Sequence, residues 1–287
     1  MKNKLKRMKA KEKTTKPCSD NDLIELINFN LDCAEKEWQQ VRHKLNQYKN
    51  ETNIPMNFIS DNFYNNVKKN NKINMIESVN YPFPSDFSDK SHFNPVSEKE
   101  MVKTFIPGYP VLESNKPEVS EFVVFMMDMR DSSSSFKQLP TSPVIECGLQ
   151  RIIYETSALI PAIVYTAAQE GGKATELLGD GALILFHIGS DNRVNVINKA
   201  YLAAEQCISN TINHVNAILW NRYNFPPLRI GIGLAYGPAI IKVMNVNGYH
   251  PKVIGQCVWK ATKLSHGENT IGLSEEIQNI LNLNKSC

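Results

Sequence analysis

From Ser19 to about Tyr48 the apolar residues Leu23, Ile27, Leu31, Trp38, Val41 and Leu45 recur at near-helical spacing behind a Ser19 or Asp20 able to cap. That pattern predicts one long amphipathic helix, or two in sequence. Asn and Lys then dominate to Asn80, and prolines punctuate Pro82 to Pro117. Such chain is expected to be irregular and to lie on a surface rather than build a second core. From residue 118 the apolar runs lengthen. "FVVFMMDM" predicts a strand ending at Asp128, and "SPVIECGLQRIIYETSALIPAIVYTAAQ" a long helix that Pro161 should kink or break. A hairpin follows over Ala174–Leu178 and Ala182–His187, then a second long helix from Arg193 to Trp220. "PLRIGIGLAYGPAIIKV" reads as a strand, a Gly-Pro turn and another strand, and "KVIGQCVWKATKLS" as a short strand and helix. The order β-α-β-β-α-β with additions predicts an α+β, ferredoxin-like fold, an antiparallel sheet with both helices on one face. The expected domains are a basic arm over 1–18, a helical and irregular extension over 19–117, and a compact domain over 118–287.

The hairpin carries an oddity. In "TELLGDGALILF" an acid stands between two glycines, Gly179-Asp180-Gly181, inside an otherwise apolar run. Asp is a poor strand residue, and glycines permit a tight turn with close backbone approach. A plain hairpin turn and a metal ligand both fit. The predicted topology puts this turn beside the end of the first strand, so Asp128 and Asp180 are expected to converge. Two neighbouring carboxylates repel and call for a cation between them; oxygen ligands suit Mg²⁺ or Mn²⁺, and a pair of such ions serves phosphoryl transfer.

Charge and cysteine usage narrow the class. Net charge is +3, yet Met1–Lys16 holds eight Lys/Arg against Glu12, so the remaining chain sums to about 3 − 7 = −4. The basic arm reads as a solubilising tail, and the acidic body argues against a nucleic-acid-binding module. Cys18, Cys33, Cys147, Cys207, Cys257 and Cys287 form no Cys-x-x-Cys and no zinc pattern, as expected of a reducing cytoplasm. No apolar run approaches a membrane span, and a secretory signal is not expected.

Four blocks, "VVFMMDMRDSSSSF", "ELLGDGALILF", "RIGIGLAYGPAII" and "KVIGQCVWKATKLS", resemble in order and spacing the class III nucleotidyl cyclases over roughly Glu121–Leu273. The resemblance implies that Asp128, Asp180 and the backbone carbonyl of Met129 bind two Mn²⁺ or Mg²⁺ ions. It also implies that Arg130, Ser132 and Ser133, at the start of a helix, cradle phosphate. Members of the family work as head-to-tail homodimers in which base and ribose contacts come from the chain opposite the metals. This sequence departs from the adenylate cyclases at those contacts. Glu176 replaces their Lys, as in guanylate cyclases; Lys252 replaces an Asp or Thr; Trp259 stands for the transition-state Asn and Lys263 for the transition-state Arg.

Glu176 accepts hydrogen bonds when ionised and Lys252 donates them. Uracil offers N3–H to the one and a carbonyl to the other; guanine offers N1–H, N2–H and O6; cytosine fits less neatly. The bulk of Trp259 favours a pyrimidine. The chain is also similar to the small bacterial pyrimidine cyclases of Pycsar antiphage systems, in which cyclic UMP or cyclic CMP activates a partner effector. The expectation is a cytoplasmic enzyme that converts UTP, or CTP, to its 3′,5′-cyclic monophosphate and pyrophosphate. The alternatives are a guanylate cyclase and a catalytically degenerate dimerisation or sensor domain. A diguanylate cyclase or polymerase is disfavoured, because its Gly-Gly-Asp/Glu-Glu-Phe hairpin is absent. Each position also has a structural reading: a strand-end cap for Asp128, a turn for Asp180, solvated charges for Glu176 and Lys252, and core packing for Trp259.

Overall fold

A computed structural model describes residues 19–52, 99–135 and 143–285. The basic arm and most of the Asn-, Lys- and Pro-rich segment lie outside the described residues.

Helix α1 runs over Asp20–Thr52. Ser19 caps it, its hydroxyl accepting from Asp22 N at 3.2 Å. Leu23, Ile27, Leu31 and Trp38 are fully buried, with Val41 and Leu45 packed behind them. The apolar stripe of α1 is therefore part of the main core.

Strands β1 (Met101–Lys103) and β2 (Val111–Glu113) form a small antiparallel hairpin. The sequence reading took this stretch as irregular. Three-residue strands are too short to show a period, and the buried positions here, Ile106, Pro107, Leu112 and Ser114, follow none.

Strand β3 (Glu118–Met129) is followed by a single helical turn, Ser132–Ser135, and by α2 (Gly148–Gln169). Helix α2 continues through Pro161, where a kink or break was expected. Pro161 sits only partly buried, so the Ser157 carbonyl that loses its partner is near solvent. The hairpin β4 (Lys173–Leu177) and β5 (Gly181–His187) comes next. Then α3 (Arg193–Gln206) runs through a π-helical turn, Cys207–Thr211, into α4 (Ile212–Tyr223).

Strand β6 spans Ile230–Asn245 as one piece. The expected Gly-Pro turn is not there. Pro238 pairs with Glu121 of β3, while β7 (Tyr249–Ile254) begins pairing only at Ile240 and β8 (Thr270–Leu273) stops at Leu234. Between those limits β6 has β3 alone as neighbour, so a residue without an N–H is tolerated. Helices α5 (Gln256–Leu264) and α6 (Glu275–Lys285) flank β8.

The sheet order is β4-β5-β3-β6-β7, with β8 parallel to β6 and every other pair antiparallel. The β3-α2-β4-β5-α3/α4-β6 kernel is the expected βαββαβ arrangement. Alternation along β3 divides the core in two. Val123, Phe125 and Met127 face α1 to α4; Phe122, Val124 and Met126 face the β1–β2 loop and α5.

Candidate active site

Register assembles the site. Asp128 is the Cα partner of Gly181 on one side and of Gly231 on the other. Met129 N donates to Asp180 O at 3.2 Å, so the two acids lie side by side where β3 ends and the β4–β5 turn closes. The turn needs its first glycine: Gly179 has φ of +74°, and Leu178 N donates to Gly181 O at 2.9 Å across it.

Each carboxylate is engaged by a donor from the loop after β3. Arg130 forms an ion pair with Asp128, and the Ser132 hydroxyl donates to Asp180 Oδ2. Ser133 is exposed, and Met129 is buried at 3%. Arg130 also donates through Nη1 to the His266 carbonyl at 3.1 Å, while its buried Nε has no partner. Asp131 occupies the left-handed region, with φ of +59°, and pairs with Arg229, which holds Glu268 at 2.6 Å.

Two acids whose backbones adjoin, and whose carboxylates engage a guanidinium and a hydroxyl, form a donor set suited to a hard divalent cation. Among the described residues no three His, Cys, Asp or Glu gather as a closed cage. The set therefore fits ions that keep water and phosphate oxygens among their ligands, the habit of Mg²⁺.

Glu176 and Lys252 meet elsewhere on the chain. They come from the outermost strands of the main sheet order, β4 and β7, yet Lys252 Nζ donates to Glu176 Oε2 at 2.8 Å, which requires the sheet to curl. Neither is a lone solvated charge.

Trp259 and Lys263 stand one turn apart on α5, with Lys263 Nζ 6.0 Å from the Trp259 ring centroid. Trp259 is 62% exposed, which removes the core-packing reading. An amphipathic helix read from sequence alone does not say which stripe is covered. Helix α5 buries Cys257 and Ala261 and turns Trp259 outward. Lys260, one residue on, grips Glu276 at 2.6 Å, and that hydrogen bond is the main reason the carboxyl is held down at about 2, well below the usual range.

Sequence reasoning assigned no role to the side chains of Arg229, Asp131 and Glu268, whose ion pairs join the loop after β3 to the loop after α5. Their one signal was the charge itself, since a surface ion pair leaves no spacing rule. It also passed over Gly231 and Gly233, although two glycines two apart in a buried strand mark one face with no side chains.

No protein-family model matches the chain. No curated protein matches it. Among solved structures it is similar to the adenylyl cyclase CyaB from P. aeruginosa, with 16% identity and a TM-score of 0.50 over 58% of this chain and 83% of that one. It is also similar to the guanylyl cyclase Cya2, with 16% identity and a TM-score of 0.49 over 57% of this chain and 79% of that one. The likeness to CyaB shows the fold: the chain has the fold of class III cyclase catalytic domains.

Proposed function

We propose that the chain is a nucleotidyl cyclase that closes a pyrimidine nucleoside triphosphate, UTP in preference to CTP, into its 3′,5′-cyclic monophosphate. The observation that carries the reading is the meeting of Asp128 and Asp180 at one sheet edge, in a fold shared with cyclases. Asp128, Asp180 and the Met129 carbonyl would hold two Mg²⁺ or Mn²⁺ ions, which supply charge neutralisation for the triphosphate and acidify the attacking hydroxyl.

The chain's own groups do the rest. Arg130 stands against Asp128, and Ser132 and Ser133 open the helical turn beside it, which supports a role for these three in binding phosphate oxygens. Lys263 stabilises charge developing at the α-phosphate. Trp259 and Lys263 are exposed on α5, as side chains are that complete the site of a second copy; the functional unit is then a head-to-tail homodimer. Glu176 and Lys252, already joined, read the base edge with one acceptor and one donor. The product would be a second messenger in the cytoplasm, acting on a cyclic-nucleotide-dependent effector in antiviral defence.

A second reading has one observation in its favour. Glu176 with Lys252 matches guanine N1–H, N2–H and O6 as well as uracil, which keeps GTP as a competing substrate. The test is the pair itself. Glu176→Gln and Lys252→Gln should each raise KM for the preferred nucleotide by about tenfold, the cost of one lost charged hydrogen bond, with a smaller change in kcat. An unchanged KM and unchanged base preference in both variants would remove the base-reading role.

A further inference from the structure

Helix α5 lies on the sheet with no side chains between them at three points. A methyl on Gly233 would overlap the Ala261 carbonyl oxygen and come within 2.7 Å of Ser265 N. One on Gly231 would overlap the Ser265 carbonyl, and one on Gly272 the Leu264 carbonyl, each also 2.8–3.0 Å from that carbonyl's carbon. Gly231 and Gly233 belong to β6, and Gly272 to β8, where it is the Cα partner of Gly233. Every opposing atom named is backbone of α5 or of the residue that ends it, so no rotamer change relieves the overlap. Gly237, on the same face of β6, differs: a methyl there would meet only Cys257 Cβ at an ordinary 3.5 Å. The overlap of sheet glycines with the α5 backbone thus falls at the half that carries Lys263; at the other end Gly255, the N-cap of α5, itself lies close to β6, where a methyl on it would come within 2.9 Å of the Pro238 carbonyl oxygen and of Ala239 Cβ.

We propose that Gly231, Gly233 and Gly272 are positioning residues, setting the height of α5 and so the reach of Lys263 and Trp259. This rests on the proposed composite-site cyclase. The shift needed to admit one methyl is on the order of an ångström, and such a misplacement of a catalytic group costs on the order of a hundredfold in rate. Gly231 is also the Cα partner of Asp128, so a methyl at that strand has two routes to harm: through α5 or through the metal acids.

Mixed dimers of full-length chains separate the routes. In a head-to-tail dimer, a chain with Asp180→Asn still lends its α5 to the other chain's acids. Pairing Asp180→Asn with Lys263→Ala therefore leaves one intact site and should restore activity to about half of wild type. Pairing Asp180→Asn with Gly233→Ala, and separately with Gly272→Ala, should restore it to the same level, although each single variant is impaired about a hundredfold. Gly237→Ala should be silent. Restoration by Lys263→Ala but by neither glycine variant would place the damage on the metal strand and overturn the inference. No restoration by Lys263→Ala would overturn the composite-site reading itself, and the inference with it. Loss of the folded dimer in both glycine variants, judged by thermal melting and size, would make the glycines structural and also overturn it.

Discussion

In the role proposed for it at phosphorus, Lys263 is the residue whose chemistry departs most from what charge stabilisation there favours. A guanidinium presents a planar fork to two phosphate oxygens, whereas an ammonium is a point charge with a strong hydration shell. Lys263 lies over the Trp259 ring at 6.0 Å, and that contact shares its charge further. Lys263→Arg should raise kcat by about tenfold, or ~1.4 kcal/mol of barrier, with little change in KM. Steady-state kinetics on the purified variant measures this, and a kcat at or below wild type would mean that Lys263 does not face the α-phosphate. Asp128 and Asp180 were legible as a pair because strand order alone places their backbones together. The Glu176–Lys252 bond was not, since it joins two edges that only a curled sheet brings within 2.8 Å.

At the scale of elements, legibility followed length and period. Helix α1 could be read because its stripe repeats over many turns and ends in a capping Ser19. The β1–β2 hairpin could not, being too short for a period. The two errors at proline have one cause: Pro161 and Pro238 break a pattern only where their missing N–H would leave a buried partner, and neither stands in such a place. Helix α1 contributes to the core through Trp38, 1% exposed, whose Nε1 is buried without a partner. Trp38→Ala should therefore destabilise the fold by about 3–5 kcal/mol. Trp38→Phe should cost much less, because it keeps most of the ring and removes the orphaned N–H. Urea unfolding followed by circular dichroism reads both; a midpoint unmoved by Trp38→Ala would make α1 an appendage rather than a core element.

For the molecule as a whole, the sheet has two faces with different duties. One is closed by α1 to α4 and holds the larger apolar cluster. The other carries Asp128, in the alternation of Val124 and Met126, and α5. This second face leaves Trp259 exposed, and Leu177 and Leu178 of the β4–β5 hairpin are 65% and 48% exposed. Fold class was readable from the order of elements. Which residues face outward was not, because that is settled only once the sheet is built. No helix among the described residues is long and apolar enough to cross a membrane.

The convergence of Asp128 and Asp180 on a fold shared with cyclases underlies the proposed closure of a pyrimidine nucleotide. That closure is tested most directly by incubating the protein with ATP, GTP, CTP and UTP in Mn²⁺ and in Mg²⁺, products being identified by mass spectrometry beside Asp180→Asn. The expected products are 3′,5′-cyclic UMP, or cyclic CMP, and pyrophosphate, with none from the variant. Cyclic GMP alone would contradict the base assignment while keeping the metal site, and no cyclic product from any nucleotide in a folded dimer would contradict the enzyme itself.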